Sequence, residues 1–398
     1  MKRIEGEVFD LEKNNNKSIK MSDTKINEKY QRGEVRIVTE QGRYPVKNIK
    51  DMLDNKEDYK LNPEYQRRKR WDNGKKSRLI ESFIMNVPLP PIFLYEYDYS
   101  KYEVMDGLQR LTSIYDFYKN EFPLEGLEYW KELEGKKYSE LPLEIKHGID
   151  RRYLSSIILL KETAKSEKEA SALKQIVFER LNSGGEELKP QETRNALYPG
   201  KFNELCIELS KNSSFKTMWK IPTAEEVINE KNLIETKQYT QTEINRYKEM
   251  EDVELILRFF AYRFLNLYTS NMKDFLDDYL KQANQWSDNT REELKNIFTE
   301  TIELIYEVFG KDAFTLPSKS SKTTKTIYEP LMQSISKNIK HKTILIQNKE
   351  KLIANKFSNT DDLILENGKE LFDGKYNHKS LIEKRIEYFD KLFESYIK

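Results

Sequence analysis

Three side chains and a glycine within five residues have the types and spacing of an anion site: Asp106, Gly107, Gln109 and Arg110. Arg110 brings a charged fork suited to phosphate oxygens. Gln109 offers both donors and an acceptor. Asp106 has three roles open to it: capping a helix, holding a phosphate-bound cation, or orienting a water. Asp106, Gln109 and Arg110 therefore sit where such a ligand would be held. The elements around them would aim them. Tyr102 to Met105 reads as a short strand rich in aromatic and β-branched types. Asp106-Gly107 breaks it, because glycine tolerates backbone angles that other residues resist. Leu111, Ile114, Tyr115 and Tyr118 then follow at the spacing of one buried helix face. Strand, glycine turn and helix together point backbone N–H groups and the positive helix end at a negative ligand. Asp-Gly before a helix is also plain turn and cap chemistry, so the surroundings must decide.

A basic block lies upstream. From Glu64 to Arg78 there are seven cations (Arg67, Arg68, Lys69, Arg70, Lys75, Lys76 and Arg78) against Glu64 and Asp72. A solvated charged face is one reading of such a run, and a phosphate-facing, DNA-binding patch is the sharper one. The chain as a whole is not polybasic, since its net charge is +1.

The bulk composition narrows the class. With 34% charged and 37% hydrophobic residues over 398 positions and a mean hydropathy of −0.81, the chain reads as a highly charged protein of two or three domains. No apolar run approaches the length needed to span a bilayer, and Met1 to Glu5 lacks an apolar signal core, so no membrane partner is expected and cytoplasm is the default compartment. The single cysteine, Cys206, excludes an intramolecular disulfide framework, and its apolar neighbours mark it as structural. His147, His341 and His378 are scattered without ligand spacing, so no protein metal site is expected. There is no His-Glu-x-x-His motif and no Walker A sequence, and Gly184-Gly185 lacks the context of a dinucleotide fingerprint.

Taken in order, residues 1–25 read as a flexible polar tail with the low-complexity run Asn14-Asn15-Asn16-Lys17. Gly33 to Val46 reads as a hairpin turning at Gln41-Gly42, and Ile49-Met52-Leu53 as a short helix. Pro63 makes the block around it extended. Asp72 is placed to cap a helix through Leu79, Ile80, Phe83 and Ile84, which Val87-Pro88-Leu89-Pro90-Pro91 ends. Ile92 to Tyr97 and Leu154 to Leu160 read as strands. Ser166 and Glu169 have capping-box spacing, and Pro190 suits the first turn of another helix. From about residue 240 the pattern is helical, with a stop at Gly310, a polar linker from Pro317 to Thr326, and a final helix capped by Ser380 and Glu383.

Several of these blocks, in order and spacing, carry a family resemblance. They are Tyr65-Gln66-Arg67, the run from Leu79 to Ile84 leading into Pro88-Leu89-Pro90-Pro91, Asp106-Gly107-Leu108-Gln109-Arg110-Leu111-Thr112, and Phe178 to Gly185 followed by Pro190-Gln191-Glu192. Over roughly residues 30 to 200 the chain resembles the N-terminal domain of GmrSD-type, modification-dependent restriction proteins, which has a ParB/sulfiredoxin-like fold. The resemblance implies a ParB-like mixed domain, taken over 26–165; with the polar tail over 1–25 and a mainly α-helical domain over 166–398, the chain is expected to be α+β. It implies a nucleoside triphosphate (ATP or GTP) at Gln66, Arg67, Asp106, Gly107, Leu108, Gln109 and Arg110, with Asp106, Gln109 and Arg110 as the candidate catalytic residues for its hydrolysis and Mg²⁺ held mainly by its phosphate oxygens. Leu108 departs from the family's usual glutamine, a change that touches turnover more than binding because the backbone N–H at 108 survives it. Full-length members commonly add an HNH nuclease, whose His-centred motif this chain lacks, so a separate nuclease subunit is the natural inference. The expectation is an NTP-binding and NTP-hydrolysing subunit of an antiphage restriction system, with DNA, modified or not, as partner and a homo-oligomer open. The alternative is a DNA-reading module without NTP turnover.

Overall fold

Ile92–Asp98 (β3) and Lys101–Asp106 (β4) form an antiparallel pair at the middle of a five-stranded sheet. In this computed structural model the described residues are 3–11, 21–31, 37–61, 68, 71–163, 166–182, 188–228, 230–269, 271–316, 322–358, 363–365, 370–374 and 378–397. The remaining strands are Thr39–Pro45 (β1), Tyr59–Lys60 (β2) and Tyr153–Leu159 (β5), in the order β1-β5-β3-β4-β2. The sheet is mixed: β1 runs antiparallel to β5, β5 parallel to β3, and β2 parallel to β4.

Asp23–Gln31 (α1) is exposed along its whole length; around the sheet lie Ile49–Asp54 (α2), Asn73–Met85 (α3), Leu108–Tyr118 (α4), Leu143–Asp150 (α5), Glu167–Asn182 (α6) and Pro190–Leu197 (α7). Alternation along the strands sends side chains to opposite faces. Ile92, Leu94, Val104, Leu154 and Ile158 share one core with Leu53, Ile80, Phe83, Leu111 and Ile114 from α2, α3 and α4. Met105 and Leu159 pack on the other face with Phe178 of α6 and Ala196 of α7. Lys174 of α6 reinforces that face by pairing with the buried Glu103 of β4 at 2.6 Å.

Local chemistry sets the helix bounds. Asp72 caps α3 by accepting from the Lys75 N–H at 2.8 Å, as its position predicts. Asn86, left-handed at φ 60°, ends the helix ahead of the proline run. Ser166 accepts from the Glu169 N–H at the start of α6. Gly310, at φ 65°, follows the long helix 288–309.

The helical unit comprises residues 1–14 and 198–398, and the sheet unit residues 15–197. Among the helices of the former are Lys201–Leu209 (α8), Glu251–Ala261 (α9), Met272–Ala283 (α10), Asp288–Phe309 (α11), Lys325–Lys337 (α12) and Lys379–Ile397 (α13). They surround one large aromatic-rich core. Cys206 is buried in it, and burial pushes its thiol well above the ordinary range, as a structural cysteine requires.

Several expectations differ from the structure. The division falls between 197 and 198 rather than between 165 and 166, because α6 and α7 are needed to cover the second face of the sheet. Residues 3–11 of the expected tail pack in the helical unit, with Phe9 buried. β1 runs straight through Gln41-Gly42 instead of turning there, paired with β5 along its whole length. Ser380 lies inside α13, which starts at Lys379, and so does not cap it. Of the expected linker 317–326, residues 317–321 lie outside the described residues, while Thr323 bridges to Thr315 and Lys325 opens α12.

Candidate functional site

The loop between β4 and α4 is built by Gly107. It stands at φ 95°, ψ 7°, as the N-cap of α4, and no side chain caps that helix. Leu111 N–H makes the first helical bond, to the Gly107 carbonyl at 3.0 Å. The N–H groups of the first turn therefore have no acceptor within the helix. A Cβ at position 107 would lie 2.5 Å from Ile92 Cγ2 and 3.3 Å from Arg110 Nη2, so the position excludes a side chain on space as well as on backbone angle.

Asp106 does not cap the helix. Its Oδ2 accepts from Arg110 Nη2 at 2.8 Å, and its side chain remains 43% exposed against 11% for Arg110. Arg110 Nη1 donates to the Pro90 carbonyl. Burial lowers the guanidinium's proton affinity and Asp106 works against that shift, so the group stays a cation held between a carboxylate and a carbonyl. Gln109 Oε1 accepts from the Trp71 N–H at 3.0 Å, which ties the loop to the start of α3. Thr112 and Ser113 turn their hydroxyls back onto the helix, to the Leu108 and Gln109 carbonyls. Leu108, only 7% exposed, points into the core with α2 and α3, so position 108 can face a ligand through its backbone alone.

The candidate residues thus divide. The structure brings Asp106, Gly107, Gln109 and Arg110 together at one strand-to-helix junction. Gln66, Arg67, Lys69 and Arg70 lie outside the described residues. Within the basic block, Lys76 is committed to Asp116 at 2.8 Å and sits 5.1 Å from the Phe122 ring centroid, so it serves the fold rather than an open patch. Arg68 is half-buried, whereas Lys75 and Arg78 are exposed on α3. Sequence reasoning missed Pro90, Trp71 and Ile92 as the neighbours that set the loop. The proline run carried the signal: it reads as a helix stop, but it also brings a carbonyl to the Arg110 fork.

Nucleotide and magnesium fit these donors in chemistry. Backbone N–H groups at an uncapped helix start suit phosphate oxygens, and the second oxygen of Asp106 is the kind of hard ligand that magnesium prefers.

A mixed sheet covered by helices on both faces, with this junction at the end of a central strand, is an α+β domain of the kind that the motif order predicts. Residues 49–199 match the family model described as the GmrSD restriction endonuclease, N-terminal domain. Over those residues the chain is similar to a GmrSD-type N-terminal domain, which points to a restriction-type, antiphage protein. The comparison with curated proteins gave no match, and neither did the comparison with solved structures. No helix among the described residues is long and apolar enough to cross a membrane.

Proposed function

We propose that the junction from Asp106 to Arg110 binds a nucleoside triphosphate, ATP or GTP, and supports its hydrolysis within a restriction system. The observation that supports this most is Gly107: a left-handed residue that opens α4 with no side-chain cap, flanked by a carboxylate and a guanidinium. In this reading the phosphates meet the backbone N–H groups of the first turn. Arg110 neutralises Asp106 and holds it to one side, so that the carboxylate does not repel the ligand. Magnesium, when bound, supplies charge neutralisation of the phosphates. Gln66 and Arg67 complete the binding set, Gln109 acts with Asp106 and Arg110 in turnover, and nucleotide state governs engagement of DNA or of a separate nuclease subunit.

Phosphate release from ATP and GTP, measured for the wild type and for Arg110→Ala, tests this reading. Turnover in the wild type that falls at least about tenfold in the variant is expected, because Asp106 then loses its counter-charge and repels the phosphates. Equal and negligible release from both would refute hydrolysis.

A second reading is supported by Lys75 and Arg78, exposed on α3 near the junction's own tether at Trp71. Here the basic block reads DNA without turnover, with Arg67, Arg68, Lys69 and Arg70 contributing. Its signature is affinity that falls steeply with salt and weakens in Lys75→Ala plus Arg78→Ala. Binding that ignores both changes would remove it.

A further inference from the structure

The first residues of the chain lie in the helical unit as a peptide lies in a receptor. None of residues 3–11 is in a regular helix or strand. Glu7 is 4% exposed and Phe9 2%. Phe9 enters an aromatic box, its ring centroid 5.5 Å from Phe264, 5.6 Å from Phe275 and 5.3 Å from Tyr279. Two residues earlier, Glu7 accepts from Arg263 at 2.7 Å in a pair shielded from solvent. Trp286 Nε1 donates to the Val8 carbonyl at 3.0 Å, and Gln282 both donates to and accepts from the backbone of Asp10. Gly6 stands at φ +78°, and a Cβ there would lie 2.7 Å from Thr290 Oγ1, whose hydroxyl donates to the Glu5 carbonyl. Three positions are thereby specified: glycine, glutamate one residue on, phenylalanine three residues on.

We propose that this groove is a sequence-specific receptor for a Gly-Glu-x-Phe segment, and that a second copy of this chain supplies the segment in exchange for its own. The contacts are the same whichever copy donates them, so exchange costs little beyond association. Residues 12–20 connect the segment to the sheet unit and include the polar run Asn14-Asn15-Asn16-Lys17. At full extension nine residues span roughly 30 Å, enough to reach a neighbouring molecule. Glu7 and Phe9 meet their partners through a desolvated ion pair and a filled aromatic pocket, the two kinds of contact that dominate binding hot spots.

The test uses the full-length chain carrying Phe9→Ala, whose own segment is weakened, and a fluorescent peptide with the sequence of residues 1–14. Anisotropy is expected to show saturable binding, weakened about tenfold or more when the peptide itself carries Phe9→Ala or Glu7→Gln. If the Phe9→Ala chain does not fold, Phe9→Leu serves with the same readout. Co-expression of a tagged Phe9→Ala chain with an untagged wild-type chain then tests exchange. The untagged chain is expected to co-purify, and to be lost when it too carries Phe9→Ala. No peptide binding to a folded variant, or equal binding of all peptides, would overturn the receptor. Peptide binding without co-purification would overturn the exchange.

Discussion

At Gly107 two constraints meet, a left-handed backbone and Ile92 packed against the missing Cβ. Gly107→Ala is expected to destabilise the sheet unit by about 1–3 kcal/mol, read by urea unfolding, and a change within error of zero would contradict the geometry. Lys356 gives a prediction in pH. Its amine donates to the Ala313 carbonyl, 5.4 and 5.1 Å from the Phe309 and Phe357 ring centroids, and burial brings its pKa down to about 7. The unfolded chain therefore holds a proton that the folded chain lacks between about pH 7 and the ordinary lysine value of 10.5. The cost of burying this residue is full below about pH 7 and fades as pH rises through that window. Lys356→Met is expected to raise stability near neutral pH by on the order of 1–4 kcal/mol, with a gain that shrinks in alkali. A gain independent of pH would oppose this. At this scale the sequence shows residue types but not whom they bond: the fork of Arg110 was legible, its hold on Asp106 and Pro90 was not, because that depends on where the proline run is carried.

Among the elements, the stretch from Leu124 to Lys137 shows how a segment without long helices is fixed. Glu81 of α3, 3% exposed, accepts from the backbone N–H groups of Glu128, Tyr129 and Trp130 at 2.8–3.3 Å. Glu134 accepts from Gly126 and Leu127 in the same way. Glu81→Gln replaces one acceptor oxygen by a donor and is expected to cost about 1–3 kcal/mol. It should speed amide exchange at residues 128–130, and unchanged protection there would show that the carboxylate is not the anchor. Strands and helices with clear periodicity were legible, and so were the caps at Asp72 and Ser166. The β1 hairpin was misread because Gln41-Gly42 looks like a turn. Gly42 is there instead for close cross-strand approach: a Cβ would sit 2.7 Å from Ser156 Oγ.

For the whole molecule, the chain begins in the helical unit, forms the sheet unit, and returns. Periodicity and composition cannot reveal this, because it rests on Glu7 meeting Arg263 at a separation of 256 positions. Locally, Glu7 lies in a polar stretch that reads as a tail. Glu7→Gln removes the buried carboxylate charge that Arg263 meets and is expected to cost the helical unit about 3–5 kcal/mol, seen as a lower thermal midpoint. An unchanged midpoint would mean that residues 3–11 add nothing to that core. The same scale holds the proposed function, in which nucleotide at one junction governs engagement of DNA or of a separate subunit. The most direct test is equilibrium binding of ATP and GTP with Mg²⁺ to the wild-type chain and to Arg110→Ala, each checked for native secondary structure. Saturable binding to the wild type that weakens about tenfold or more in the variant is the expected result. Binding absent from both, or equal in both, would contradict the assignment of the Asp106–Arg110 junction as a nucleotide site.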